Sequence, residues 1–228
     1  MAEHPFSLVH RIRPPQVTPT DQGSPCLVLL HGVGSHEEDL LGLAPYLDPR
    51  FFLISARAPI SLGSHAYGWF EIEFTPQGIV GNPQQAQASL GQLHQFLAEV
   101  VVHYPVDPQQ LYLMGFSQGG MMSLSVLFTT PHRLAGVVVM SGRFPHETLP
   151  PEPAPLLTPS LTGMPVLVVH GRQDPVLPID MGRQMREQLQ TFAVDLTYRE
   201  YDMGHHVSNE SLRDIVDWLS GQLDSHQR

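Results

Sequence analysis

Leu111-Tyr112-Leu113-Met114-Gly115-Phe116-Ser117-Gln118-Gly119-Gly120 decides how this chain is read. An apolar run from Leu111 to Phe116 enters G-x-S-x-G, and a helical apolar pattern follows at once through Met121, Met122, Leu124, Val126 and Phe128. The five-residue string is common when it stands alone. With a strand before it and a helix after it, it describes a sharp turn that lifts the serine hydroxyl above a sheet edge. Gly115 and Gly119 are then steric requirements, because strand and helix pass too close for larger side chains. Ser117 is expected to be an activated nucleophile.

Working outward, strand-like runs fall at Ser7–Ile12, Cys26–Leu30, Phe51–Ser55, Leu111–Phe116, Gly136–Met140, Pro165–His170 and Val194–Tyr201. The middle runs are apolar almost throughout, as parallel strands covered on both faces are. Helical patterns lie between them. The clearest has Asn82 as N-cap, Pro83 at the first helical position and Gln85 three residues after the cap. Ala86, Leu90, Leu93, Leu97, Val100 and Val101 give it one apolar face, and Tyr104-Pro105 ends it. A last helix carries Leu212, Ile215, Val216 and Leu219. The alternation predicts one α/β domain over residues 1–228, a doubly wound, mostly parallel sheet with helices on both faces. Arg57 to Gly81 and the proline-rich Gly142 to Gly163 lack periodicity. Both begin after a strand's C-terminal end, where open α/β sheets place ligands, so they are expected to be site walls.

Composition narrows the chemistry. The 228 residues carry 22 acidic and 12 basic side chains, a formal net charge of −10, and no lysine. The charge argues against nucleic acid and against docking on anionic membranes. The missing lysine excludes a pyridoxal Schiff base, a Walker-type phosphate loop and a lysine-activated serine. The lone Cys26 has no internal disulfide partner and reads as a small buried hydrophobe in its strand. No stretch approaches 18 apolar residues and the N-terminus has no apolar leader core, so a cytoplasmic protein without integral membrane association is expected.

Without lysine, the base that takes the Ser117 proton must be one of 13 histidines. His205, in Tyr201-Asp202-Met203-Gly204-His205-His206, lies between the final strand and the final helix, where the base of such a site belongs. The carboxylate that orients it is expected to be Asp174, in a loop closed by Pro175 and Pro178, giving the chain order Ser, Asp, His. Asp202 is the rival, although it stands only three residues from His205. Two backbone donors must face the oxyanion: the N–H of Gln118 at a helix N-terminus, and that of Val33 in His31-Gly32-Val33-Gly34. His31 is expected to hold its loop. No histidine pair has the spacing of a metal site, so no metal is expected.

These motifs, with His170-Gly171-Arg172-Gln173-Asp174-Pro175-Val176 and Met203-Gly204-His205, resemble the phospholipase/carboxylesterase family of α/β-hydrolases, which includes acyl-protein thioesterases. The resemblance runs from Leu27 to Leu219. It implies a single-domain α/β-hydrolase fold, a triad of Ser117, Asp174 and His205, and the oxyanion pair Val33 and Gln118. By the same resemblance, Trp69 and Phe70 belong to a segment that lines the acyl pocket. The activity implied is cleavage of short to medium carboxylic esters, with acyl thioesters or lysophospholipids as alternatives and no cofactor. A monomer or homodimer acting on a small molecule is expected. A silent binding module on the same fold is the reading outside enzymes, and it is weakened because every expected triad and oxyanion position is filled.

Overall fold

The computed structural model describes residues 6–19, 21–75, 78–149 and 161–226. Among these, seven strands form one sheet: β1 (His10–Arg13), β2 (Ser24–Leu30), β3 (Phe52–Ala56), β8 (Val106–Phe116), β9 (Gly136–Met140), β10 (Pro165–Gly171) and β11 (Asp195–Tyr201). Their order is β1-β3-β2-β8-β9-β10-β11, parallel throughout except that β1 pairs antiparallel with β3. The expected strands are all present, with ends shifted by a few residues; β8 starts five residues earlier than the apolar run, through the polar Asp107-Pro108-Gln109-Gln110.

Alternation along the strands explains the layers. Cys26, Val28 and Leu30 of β2, with Leu111 and Leu113 of β8, face one side. There they pack against α1 (Pro83–His103), α2 (Gln118–Thr129) and α3 (Ile179–Gln190). Leu27, Leu29, Tyr112 and Met114 face the other side, against α4 (Asn209–His226) and the Leu40–Leu47 segment. Two buried cores therefore flank the sheet, and its central strands are apolar on both faces. The Asn82 side chain accepts from the Gln85 N–H at 3.1 Å, so the helix cap read from sequence is made.

Residues 57–81 depart from the expectation of a structureless wall. They form two hairpins outside the main sheet, β4 (Ile60–Gly63) with β5 (Ala66–Gly68) and β6 (Ile72–Thr75) with β7 (Gly78–Gly81). Their strands are three or four residues long, too short for a period of two to stand out in sequence. Residues with positive φ, Gly63 and His65, turn the first hairpin. In the second stretch that lacked periodicity, residues 150–160, with most of its prolines, lie outside the described residues.

The chain leaves β2 for β3 on one side and later returns to β8 on the other, so strand order reverses between β2 and β8. That switch point opens a crevice at the C-terminal strand ends. The loop after β2 and the turn after β8 border it.

Candidate active site

Ser117 occupies the turn between β8 and α2 with φ 52° and ψ −116°, a left-handed conformation that L-residues avoid. Tight packing imposes it. A Cβ on Gly115 would overlap the carbonyl of Gly119, and a Cβ on Gly119 would overlap the carbonyl of Leu30. Strand and helix thus meet backbone to backbone, and the Ser117 N–H is tied to the Met140 carbonyl at 2.8 Å.

His205 Nε2 lies 3.0 Å from Ser117 Oγ, and its Nδ1 lies 2.7 Å from Asp174 Oδ2. The three residues come from loops after β8, β10 and β11 and form one hydrogen-bonded line. Asp174 is held on its other oxygen, where Oδ1 accepts from Val176 N–H and Leu177 N–H, both at 2.8 Å. The acid side chain is fully buried, whereas the His205 ring keeps 16% of its surface open above the serine. Phe116 packs against that ring, with centroids 4.9 Å apart.

Competitors point elsewhere. Asp202 is exposed and pairs with Arg172 at 3.0 Å. His206 is exposed, its backbone N–H turned back to the Gly204 carbonyl. His94 bonds Thr129, far from this edge in the chain's layout. Among the described residues no group of three His, Cys, Asp or Glu side chains could hold a metal ion. No helix there is long and apolar enough to cross a membrane.

His31 is buried and holds its loop. Its Nε2 accepts from the Ala58 N–H at 3.0 Å, which places the ring proton on Nδ1, 2.7 Å from the Gly32 carbonyl. Burial lowers its pKa, so the ring stays neutral. Gly32 lies against Phe116 and Ser117, leaving Val33 at the rim of the crevice. Neither the Val33 N–H nor the Gln118 N–H has a protein acceptor among the described residues.

Trp69 and Phe70 require a correction. They were expected to wall an acyl pocket, yet they expose 0% and 1% of their surface and belong to the core on the α1 side. The Trp69 indole N–H donates to the His31 carbonyl at 3.0 Å. Two large apolar rings beside β2 and α1 gain more from burial than from facing solvent in an open crevice.

Sequence reading gave two residues no role that the geometry makes plain. His170 is fully buried, donates from Nε2 to the Leu177 carbonyl at 2.8 Å, and stands 3.7 Å from Asp174 Oδ2. It braces the loop that carries the acid. A Cβ on Gly182 of α3 would come within 2.7 Å of its Nδ1, so α3 closes over it. Glu37 is also buried, forming two hydrogen bonds with Arg57 at 2.7 and 2.6 Å, and this pair ties the loop after β2 to the end of β3. Arg57 in turn lies over the Tyr67 ring. Nothing in the sequence pattern pointed to this pair, since partners 20 residues apart leave no periodic signal.

A cavity of about 470 Å³ lies where β7, residues 143–147 and α3 meet, and none of Ser117, His205 and Asp174 is among its lining residues. Ile79, Val80, Phe144 and Met181 line it, together with the ion pair of Arg143 and Glu147.

Known proteins agree with this architecture. The phospholipase/carboxylesterase family model matches residues 15–223. Acyl-protein thioesterase 1 of Gibberella zeae is 27% identical over 230 residues, covering 93% of this chain and 97% of that one. A probable carboxylesterase of Oryza sativa subsp. japonica is 27% identical over 77% of this chain and 66% of its own. The crystal structure of a Bacillus cereus carboxylesterase superposes with a TM-score of 0.79 at 22% identity, covering 94% of each chain, and so shares the α/β-hydrolase fold. A match that spans both the elbow and the final helix leaves one assignment: the chain belongs to the phospholipase/carboxylesterase family and is an ester hydrolase.

Proposed function

We propose that this enzyme cleaves carboxylic esters of short to medium acyl chain through an acyl-enzyme on Ser117. The observation that carries the reading is the line Ser117–His205–Asp174, at 3.0 and 2.7 Å, on a serine held in a strained turn. His205 Nε2 takes the hydroxyl proton as Oγ attacks the ester carbonyl, and negative charge collects on the former carbonyl oxygen. The N–H groups of Val33 and Gln118, unengaged by any described residue, receive that charge, and the α2 dipole adds to them. His205 then protonates the departing alcohol, and the acyl group remains on Ser117. Water, deprotonated by the same imidazole, attacks the acyl carbonyl and releases the acid. Asp174 keeps the ring proton on Nδ1 and stabilises the imidazolium that forms in each half.

Each methylene buried in an apolar pocket contributes about 0.8 kcal/mol until the pocket ends, so rates should climb with acyl length and then fall, with the optimum between about four and ten carbons.

A second reading has its own support: several relatives, among them that of Gibberella zeae, are named acyl-protein thioesterase 1. The same triad serves a thiol leaving group. A panel of p-nitrophenyl esters from about two to sixteen carbons, run beside a palmitoyl thioester, separates the two. A maximum at the longest ester with faster thioester turnover favours the second reading; a mid-length ester maximum favours the first. Silence on every substrate, together with no labelling by a fluorophosphonate, would remove both.

A further inference from the structure

The two oxyanion donors assigned above come from separate segments, the loop after β2 and the first residue of α2. Their separation must hold to a few tenths of an ångström for both to reach one oxygen. The Tyr67–Phe70 strap leading out of β5 joins them. Its Tyr67 carbonyl accepts from Gly34 N–H at 2.8 Å, and its Tyr67 N–H donates to the Ser35 carbonyl at 2.9 Å. The Trp69 indole N–H adds a bond to the His31 carbonyl at 3.0 Å. The strap thus grips the donor loop on both sides of Val33.

Its other anchor is the side chain of Gln118. Gln118 Oε1 accepts from Trp69 N–H at 2.7 Å, and Nε2 donates to the Phe70 carbonyl at 2.7 Å. A backbone donor on one side and a backbone acceptor on the other force this amide orientation. The clamp is buried, with Gln118 and Trp69 both almost wholly inaccessible. Gly68 sits between the partners: a Cβ there would lie 3.3 Å from Val33 Cγ2 and 3.4 Å from Gln118 Oε1.

We propose that the side-chain amide of Gln118 is a positioning group for the oxyanion pair: it clamps the Tyr67–Phe70 strap and so sets Val33 N–H against Gln118's own N–H. One residue thereby donates from its backbone and fixes its fellow donor through its side chain. The inference rests on the Ser117 reading above.

Gln118→Met keeps the backbone N–H and the side-chain length but removes both clamp bonds. The expected result is a fall in kcat of about 10- to 10²-fold, less than the ~10²–10³ typical of deleting a donor, with KM little changed. Affinity for a trifluoromethyl ketone analogue of the best ester, whose adduct carries the oxyanion, should fall by the same factor as kcat/KM. Gln118→Glu keeps the acceptor for Trp69 N–H but, when ionised, sets a second acceptor against the Phe70 carbonyl. Its kcat relative to wild type should therefore rise as pH falls and the carboxyl regains a proton. Wild-type kcat and analogue affinity in a folded Gln118→Met, or a change confined to KM, would overturn the proposal. If Gln118→Met does not fold, a Gln118→Glu ratio that is full and independent of pH would do the same. Ser117→Ala is assayed alongside: activity surviving there brings down the nucleophile reading and this proposal together, whereas an inert Ser117→Ala beside a fully active Gln118→Met removes this proposal alone.

Discussion

Replacing Asp174 by asparagine exchanges one carboxylate oxygen for an NH₂ group and should silence the site. Oδ1 accepts two backbone N–H groups, from Val176 and Leu177, at 2.8 Å each. An asparagine must keep its carbonyl oxygen there, because an amino group would face two donors. Its NH₂ then points along the old Oδ2 direction, at His205 Nδ1. That nitrogen has to become the acceptor, so the ring proton moves to Nε2, the atom 3.0 Å from Ser117 Oγ. An Nε2–H cannot take the serine proton. The same tautomer error in serine triads lowers kcat by about 10⁴, which corresponds to roughly 5.5 kcal/mol of transition-state stabilisation. Stability should change far less, since both bonds to the loop survive and lose only their charge assistance, about 1 kcal/mol. The assay is steady-state hydrolysis of a p-nitrophenyl ester, with a thermal melt on the same preparation. An Asp174→Asn protein within about tenfold of wild-type kcat would refute the reasoning, because it would mean that His205 does not depend on this acid for its tautomer.

Three further outcomes are expected. Ser117→Ala should abolish hydrolysis and fluorophosphonate labelling, and Ser117→Gly, equally inactive, should be the more stable of the two by about 1 kcal/mol because glycine accepts the φ of 52° without strain. His205→Ala should lower kcat by about 10⁴ or more, while His206→Ala, at an exposed side chain, should leave it near wild type; the reverse order in kinetic assays would exchange their roles. Glu37, beside the Arg57 guanidinium, has its pKa held at about 2 against an ordinary 4.5. The unfolded chain therefore binds this proton first on acidification, so stability rises with pH across that window. The pair's contribution, about 3 kcal/mol, is complete above pH 4.5 and is lost as pH falls through about 2. Denaturant titrations of wild type and Glu37→Gln should differ by about that much at neutral pH and converge in acid; a gap independent of pH would reject the ion-pair account.

What the sequence determined by itself is local or carried by long periodic runs. The β8–Ser117–α2 turn is legible because its demands, an apolar strand, two glycines and an apolar helix, are met within about twenty consecutive residues. The sheet is legible because parallel strands buried on both faces leave continuous apolar runs. Tertiary structure decided the rest. Trp69 and Phe70 read as pocket walls by the family resemblance, but the space beside β2 and α1 took both rings into the core. The hairpins within residues 57–81 escaped notice because three- or four-residue strands cannot display a period. His205 and His206 share a loop, and the fold turns only the first to Ser117; Asp174 and Asp202 stand in different loops, and the first meets His205 while the second pairs with Arg172. The amide of Gln118 meets Trp69 and Phe70 across nearly fifty residues, and His170 supports Asp174 from inside a strand whose apolar pattern hides it. Periodicity reports which face of an element is buried; it carries no record of which distant backbone group a single polar side chain will find. That pairing is set when the layers close and leaving a buried donor or acceptor unpaired becomes costly.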